Sequence, residues 1–221
     1  MDYTTAQELF DALAAPFPAE AIDWRIGSTT QDKSKGMALA YIDARVVMDR
    51  LDCVCGPDGW QNNYSPSGNG AVVCNIGILM PNGTWIWKSD GAGHTDVEAE
   101  KGMLSDAFKR AAVRFGIGRY LYDLDSPWVE LDEKKRIKSG ELRRLAELHD
   151  AAVAKIGWGE RSGVYAYRLM LHVIKNTVTQ PSDAQEFKEK NEGMIAQLPV
   201  RMRNHLYEQL DRIGGRAQEA A

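Results

Sequence analysis

Apolar residues recur at helical spacing in two places within the first sixty residues. In residues 7–18 this spacing predicts a short helix that two prolines end. Residues 22–25 are typical of a short extended segment, and residues 28–36 form a polar stretch. From residue 37 to residue 54 the apolar positions again fall three or four apart, while charged residues occupy the other sides, namely Asp43, Arg45, Asp49 and Arg50. This pattern predicts an amphipathic helix over 37–54 that ends near the GPDG sequence at 56–59.

Three segments with β character follow, at residues 60–65, 71–80 and 84–88. The SGNG and PNG sequences that join them both contain the Asn-Gly pair that is favoured in tight hairpin turns. Alternation in the middle segment places five apolar residues on one face: Val72, Cys74, Ile76, Ile78 and Met80. The sequence therefore predicts a three-stranded antiparallel β-meander.

A long helical pattern over residues 96–116 follows a loop at 89–95. Gly116 and Gly118 end this pattern, whose apolar stripe consists of Val97, Leu104, Phe108, Ala111 and Phe115. We expect an α+β fold in which the meander packs on this long helix as a β-β-β-α core. Three tryptophans are expected to pack between sheet and helix: Trp60, Trp85 and Trp87.

From about residue 131 the sequence changes to charged, helix-forming segments that predict three or four packed helices. Neither an internal repeat nor a low-complexity linker is found in the sequence, so this part is expected to be ordered. We therefore expect two domains, a core over 1–131 and a helical C-terminal extension over 132–221.

The charge of the chain is unevenly distributed. A net charge of −4 argues by itself against a protein that coats nucleic acid, because Lys and Arg drive phosphate binding. Residues 101–119, however, carry five cations against a single acid, Asp106. No apolar run reaches the roughly 20 residues of a membrane span, and the N-terminal residues do not resemble a signal peptide. The sequence therefore predicts a cytoplasmic protein with one basic helix and no membrane partner.

The residue patterns favour neither a metal site nor a bound cofactor. The three cysteines, Cys53, Cys55 and Cys74, are odd in number and have the wrong spacing for a typical zinc site, and the four histidines are scattered. No phosphate-binding G-x-x-x-x-G-K-[ST] loop occurs. Asp49 and Asp52 would share one side of a helix and raise the alternative of a metal nuclease, but no nuclease motif accompanies them. We expect no cofactor and interpret these acids as a solvated face.

Two segments carry a resemblance to a known family. The sequence YIDARVVMDRLDCVCGPDGWQNNY at 41–64 and the sequence KGMLSDAFKRAAVRFGIGRYLYDLD at 101–125 enclose the predicted meander. Together they resemble the Rad52/Rad22 family of single-strand annealing proteins, in its bacteriophage and bacterial branch. The resemblance covers roughly residues 8–131. It implies homo-oligomeric rings that bind single-stranded DNA in a basic groove through its sugar-phosphate backbone, without nucleotide hydrolysis.

The resemblance also implies a set of DNA-binding residues. The groove residues of the family match Lys109 and Arg110. Three positions after the arginine the family carries a further cation, where this chain has Val113, and the adjacent Arg114 is predicted to take the place of that cation. Arg45 on the earlier helix and Lys101 at the start of the basic helix complete the predicted set. On a helical wheel Arg110 and Arg114 lie at about 240° and 280° from Leu104, and Lys109 at about 140°. The loop at 89–95 is short and acidic, so no outer DNA site is predicted there.

The sequence therefore predicts ATP-independent binding and annealing of single-stranded DNA in recombination and repair, by a protein that is not an enzyme. Two alternatives stay open: a nuclease or nucleotide-dependent recombination enzyme, and an oligomeric adaptor that does not anneal strands. A single-strand-binding protein or an exonuclease is considered as a protein partner. Base stacking by Tyr41, Trp60 or Phe115 is also considered, but their positions favour core packing.

Overall fold

A computed structural model describes residues 5–93, 101–156 and 160–216. It is a mixed α+β structure with two three-stranded antiparallel sheets, which confirms the predicted fold class. The strands in the described ranges are β1 (Asp23–Thr29), β2 (Lys35–Tyr41), β3 (Trp60–Ser67), β4 (Ala71–Leu79), β5 (Trp85–Ala92) and β6 (Trp128–Glu130). The helices in the same ranges are α1 (Ala6–Ala14), α2 (Ala44–Cys55), α3 (Lys101–Val113), α4 (Ser139–Val153), α5 (Glu160–Thr177), α6 (Pro181–Lys190), α7 (Glu192–Ala196) and α8 (Val200–Arg216).

The chain divides into two compact units, with boundaries at Ala15/Pro16, Tyr41/Ile42 and Tyr120/Leu121. These boundaries differ from the predicted division at residue 131, because β2 pairs with both β1 and β6, so that β1 and β2 group with the C-terminal helices. The assignment of separate roles to 1–131 and 132–221 stays a prediction. Within the described residues no helix is both long enough and apolar enough to cross a membrane.

The first unit is built on the sheet β3-β4-β5, whose strands pair antiparallel in chain order. One face of the central strand is buried, as its alternation predicted: Val72, Cys74, Ile76, Ile78 and Met80. Helix α3 packs against β4 and β5 and buries its own apolar side, which consists of Ala107, Phe108, Ala111 and Ala112. The core of this unit therefore lies between the sheet and α3.

Helix α2 is shorter than predicted. The single helix expected over 37–54 is wrong in its first part, because residues up to Tyr41 belong to strand β2. The sequence MALAY alternates as well as it fits a helix, and β2 is held between β1 and β6 on either side. Asp43 then starts the helix as its N-cap, since its side chain accepts a hydrogen bond from the Arg45 N–H at 2.6 Å.

The sequence predicted Arg50 on the charged side of α2. In the structure it is buried and only 1% exposed. One guanidinium nitrogen, Nη1, donates to three backbone carbonyls at the end of α1, those of Ala12 (3.2 Å), Leu13 (3.1 Å) and Ala15 (2.5 Å). The last carbonyls of a helix point beyond its final turn and need donor partners from elsewhere, so Arg50 caps the C-terminus of α1 from another element.

Strand β5 is longer than predicted, and its two tryptophans lie on the sheet face away from α3. It runs to Ala92, so the first part of the expected loop at 89–95 is a strand. Trp85 and Trp87 are exposed on the sheet face opposite α3, which corrects their predicted place between sheet and helix. Leu104, expected in the buried stripe of α3, is 42% exposed, and Val97 of the same stripe lies outside the described residues.

The second unit contains the sheet β1-β2-β6 and helices α4 to α8. Its core includes Ala38, Val129, Leu131 and Leu145, with Trp24, Ile26 and Ile137 packed around them. The described ranges after residue 131 contain five helices and not the three or four predicted, because short α7 is separate from α6. Asp150 of α4 fixes the start of α7 by accepting hydrogen bonds from the N–H groups of Gly193 (2.7 Å) and Met194 (3.0 Å).

Candidate nucleic-acid interface

Two arginines at the C-terminal end of α3 meet at one carboxylate, that of Asp90 on β5. The Nε of Arg110 lies 3.2 Å from Oδ1 of Asp90, and the Nε of Arg114 lies 3.0 Å from Oδ2. The two arginines can share one acid because they are four residues apart and so lie on the same side of the helix. Their side chains are 50% and 57% exposed. Since both hydrogen bonds use Nε, the terminal nitrogens of both guanidinium groups can bind a further anion at the surface.

Two further cations lie at the C-terminal end of α3. The Nζ of Lys88 donates to the carbonyl of Arg114 at 2.8 Å. Arg119 donates from Nε and Nη2 to the carbonyl of Val113, at 3.0 and 2.8 Å, and from Nη2 to that of Arg114 at 3.0 Å. Cations are stabilised at a helix C-terminus because the carbonyl groups there carry partial negative charge. Part of this basic surface is therefore explained by helix capping.

Lys88 has unusual surroundings for an ammonium group. Its Nζ lies 4.8 Å from the centre of the Phe10 ring and 4.7 Å from that of Phe115, and the two rings are stacked 6.3 Å apart. Burial lowers the pKa of Lys88, and the charges of Arg119 and Arg114 lower it further. The aromatic faces oppose this effect through cation–π attraction.

The charge of Asp90 is stabilised by its neighbours. Burial acts to raise its pKa, but hydrogen bonds from Arg114 and the Gly91 N–H, together with the charge of Arg110, outweigh burial and leave the pKa lowered. Asp90 is thus ionised at neutral pH. We call Asp90 with its partners Arg110 and Arg114, together with Lys88 and Arg119 at the C-terminal end of α3, the Asp90 cluster.

The structure brings together only some of the predicted DNA-binding residues. Arg110 and Arg114 meet at Asp90, so Arg114 is close to Arg110 although it is one position away from the family's pattern. Lys109 is partly buried on a neighbouring side of α3. Arg45 is exposed in the first turn of α2 and makes none of the ion pairs of the Asp90 cluster. Lys101 begins α3, but its side chain lies outside the described residues.

Sequence reasoning missed three members of the Asp90 cluster. The sequence pattern predicts Lys88 at the end of a strand and Asp90 in a loop, because clear alternation stops at residue 88. Their alternation with Ile86 and Ala92 would have put them on the α3 side of the sheet. Arg119 belongs to the predicted basic segment, but its position after two glycines gives no indication that it folds back onto α3.

Some of the other side chains considered for chemistry pack in the core or make structural contacts. Trp60 donates from Nε1 to Oδ1 of Asp52 at 2.6 Å, and its ring centre lies 6.0 Å from that of Phe108. This agrees with core packing for Trp60 and gives Asp52 a partner. Cys55 and Cys74 are buried, and burial raises the pKa of Cys55 to about 12. Across the residues that the structure describes, no group of three or more acids, histidines and cysteines is placed to hold a metal ion.

Comparison with known proteins places the chain in a family. A family model described as Rad52/22 family double-strand break repair protein matches residues 5–139. The chain is also similar to the single-stranded DNA-binding protein DdrA of Deinococcus deserti, with 44% identity over 124 residues, and to that of Deinococcus radiodurans, with 40% identity over 124 residues. Each alignment covers 56% of this chain and spans 61% and 59% of the respective relative, about three fifths of its length. Because the family model covers more than half of the chain, the protein belongs to the Rad52/22 family.

Proposed function

We propose that this protein binds single-stranded DNA and anneals complementary strands without ATP, in recombination and double-strand break repair. The observation that carries the proposal is the Asp90 cluster, in which two arginines bind one acid and two further cations lie at the end of the same helix, on a chain of net charge −4. Exposed guanidinium groups bind phosphate oxygens in pairs, and such contacts do not depend on base sequence. The names of the two DdrA relatives support single-stranded DNA as the ligand.

The proposed mechanism contains no catalytic step. Arg110 and Arg114 hold successive phosphates of an extended strand, and Arg119 adds a third contact. Since the protein holds the backbone, the bases stay available to a complementary strand, and pairing supplies the free energy of annealing. With DNA as its ligand, the protein is proposed to act in the cytoplasm.

The finer architecture is proposed to be a ring of β-β-β-α cores, each made of β3, β4, β5 and α3. Strands β3 and β5 are the edges of their sheet, and backbone groups at sheet edges are commonly covered by another chain. Neighbouring copies would cover them while continuing the sheet. A mass measurement at micromolar concentration tests this point, and a monomer that anneals strands normally would contradict it. A single-strand-binding protein or an exonuclease as partner stays a prediction.

The functional test mixes two complementary labelled strands with the protein in the absence of ATP and metal ions. The parent should accelerate pairing. Replacing Arg110 and Arg114 with Gln should weaken strand binding, and the slope of log affinity against log salt should become shallower by about 0.7 for each phosphate that is no longer bound. Pairing should slow in parallel.

The matched control replaces Arg143 and Arg144 with Gln. Both lie on exposed positions of α4, so the charge change is the same while the Asp90 cluster is untouched. The control should bind and anneal as the parent does. Equally weakened binding in both double variants would show a non-specific charge effect and contradict the proposed site, and DNA cleavage or a requirement for ATP would favour an enzyme instead.

A further inference from the structure

Two indole rings are exposed on the sheet face opposite α3. Trp85 and Trp87 are 38% and 44% exposed, although large apolar side chains are normally covered. They lie two residues apart on β5, and their ring centres are 6.3 Å apart with an angle of 30° between the rings. The face that carries them belongs to the first unit alone, so the exposure is a property of that unit.

The Trp87 ring is held in place by a glycine. Gly77 of β4 is directly opposite Trp87 in the antiparallel pair. A Cβ atom at Gly77 would lie 2.8 Å from the six-membered ring of the indole, so the ring lies across the backbone of β4. One side of the indole is therefore covered by the strand, and the exposed area belongs to the rest of the ring. A supported ring of this kind loses little side-chain entropy when a flat ligand stacks on it.

The surroundings of the indoles are polar. Asn75 donates from Nδ2 to Oδ1 of Asn63 at 2.8 Å, and Ser89 donates from Oγ to Oδ1 of Asn75 at 2.5 Å. These three side chains form a row across the strands, on the same face as Trp87. The central part of a permanent interface between copies is usually apolar, whereas flat polar ligands are recognised by aromatic rings set among hydrogen-bonding groups.

Trp87 also shares a surface pocket with part of the Asp90 cluster. The pocket has a volume of about 520 Å³ and is lined by Trp87, Lys88, Ser89, Arg114 and Arg119. The residues that line this pocket carry an aromatic ring and two guanidinium groups, which match the two parts of a nucleotide. A base has a flat face for the indole, and its phosphate has charge for the arginines.

We propose that Trp87, with Trp85 beside it, stacks on an unpaired base of the strand whose phosphates bind Arg114 and Arg119. This inference rests on the proposed function and adds a contact to the flat face of one base, which leaves the pairing edge of that base available to a complementary strand. Bases in a duplex are already stacked and are not accessible to the indole. Trp87 therefore selects single-stranded over double-stranded DNA.

The test compares two probes of equal length, an oligomer of thymidylates and an abasic deoxyribose-phosphate oligomer of the same charge. The parent should bind the thymidylate oligomer about 5- to 100-fold more tightly, the range expected for stacking of a base on an aromatic ring. Trp87→Ala should remove most of this difference and leave affinity for the abasic probe unchanged. Trp87→Phe should retain part of the difference, because a smaller ring still stacks.

Two further variants separate stacking from general effects. Gly77→Ala leaves the indole in the protein but forces it from its support, so it should reduce the preference for the thymidylate probe as Trp87→Ala does. Trp128→Ala removes a comparably exposed indole, 47% exposed, from strand β6 of the other unit and should change nothing. Particle mass is measured for every variant.

The outcomes distinguish this inference from the proposed function. If the parent binds neither probe, the proposed function fails, and the inference fails with it. If the parent binds both probes equally and Trp87→Ala behaves as the parent, single-strand binding stands and only the stacking inference is refuted. A change of particle mass in Trp87→Ala would show that this face is a contact between copies, and would also refute the inference.

Discussion

Replacing Asp90 with Asn should strengthen the binding of single-stranded DNA. Asn has nearly the same size as Asp, and its side-chain oxygen can still accept the hydrogen bond that the Gly91 N–H donates at 2.8 Å. The substitution removes the one negative charge between Arg110 and Arg114. Both arginines are then released from an internal ion pair and become available to phosphates.

The expected gain follows from the charge. A phosphate held by either arginine would lie roughly 7 Å from the Asp90 carboxylate, where repulsion is about 0.6 kcal/mol in water and about 2.4 kcal/mol at an effective dielectric constant near 20. Because the arginines are half exposed and salt screens the charges, the lower part of this range applies. We expect affinity to increase about 3- to 10-fold. The cost in stability should stay near 1 kcal/mol, since each half-exposed ion pair contributes less than about 1 kcal/mol.

Fluorescence anisotropy of a labelled oligomer at two salt concentrations measures the effect. The matched control is Asp132→Asn, which removes the acid of the exposed Asp132–Arg136 pair in the other unit. The control should bind as the parent does. Unchanged or weaker binding by the Asp90 variant, with an unchanged melting temperature, would refute the idea that the phosphates meet Arg110 and Arg114.

Other predictions concern the groove, the pH dependence and the core. Replacing Lys109 and Arg110 with Ala should weaken strand binding and annealing together and cost little stability, as measured by titration and thermal melting. His149 is buried and its pKa is lowered to about 4 from 6.5, so below pH 6.5 the unfolded state takes up the proton first. The free energy of unfolding should therefore fall by about 3 kcal/mol from pH 6.5 to pH 4. His149→Leu should make the free energy of unfolding less dependent on pH, as measured by urea denaturation at pH 7 and pH 5. The control His172→Gln, at an exposed position, should keep the pH dependence of the parent. Arg50→Leu should destabilise the protein by about 3 kcal/mol or more in the same assay at pH 7, since three buried carbonyls are left without this donor; a destabilisation below about 1 kcal/mol would contradict its capping role.

Elements whose local sequence pattern agrees with their surroundings in the fold could be predicted from the sequence. Strand β4 is central in its sheet and buried on one face, so its alternation at Val72, Cys74, Ile76 and Ile78 was sufficient. The end of α3 could also be placed, because Gly116 and Gly118 adopt positive φ angles of 97° and 66° that favour glycine. In these places local pattern and tertiary environment agree.

Elsewhere tertiary partners decided between patterns of equal quality. The segment before Tyr41 fits a helix or a strand, and only pairing with β1 and β6 makes it a strand. Likewise, alternation puts Trp85 and Trp87 on one face but does not say which face meets α3. Tertiary contacts also decided which residues form the candidate nucleic-acid interface. The arginines could be found from their helix, whereas Asp90 became part of the site only through the packing of β5 against α3.

The pairing of β2 with β6 has a consequence for how the chain folds. These strands pair through Lys35↔Glu130, Gly36↔Val129 and Met37↔Trp128, so closing that sheet requires joining segments more than ninety residues apart in sequence. Loop closure over such a distance costs about 4 kcal/mol in chain entropy. The intervening 42–120 segment belongs to the first unit, which can form by local steps because β3, β4 and β5 are joined by short turns. Once the first unit has folded, the loop that must close between β2 and β6 is effectively shorter. We therefore expect the first unit to form early and the β2–β6 pairing to form in the slow phase of refolding.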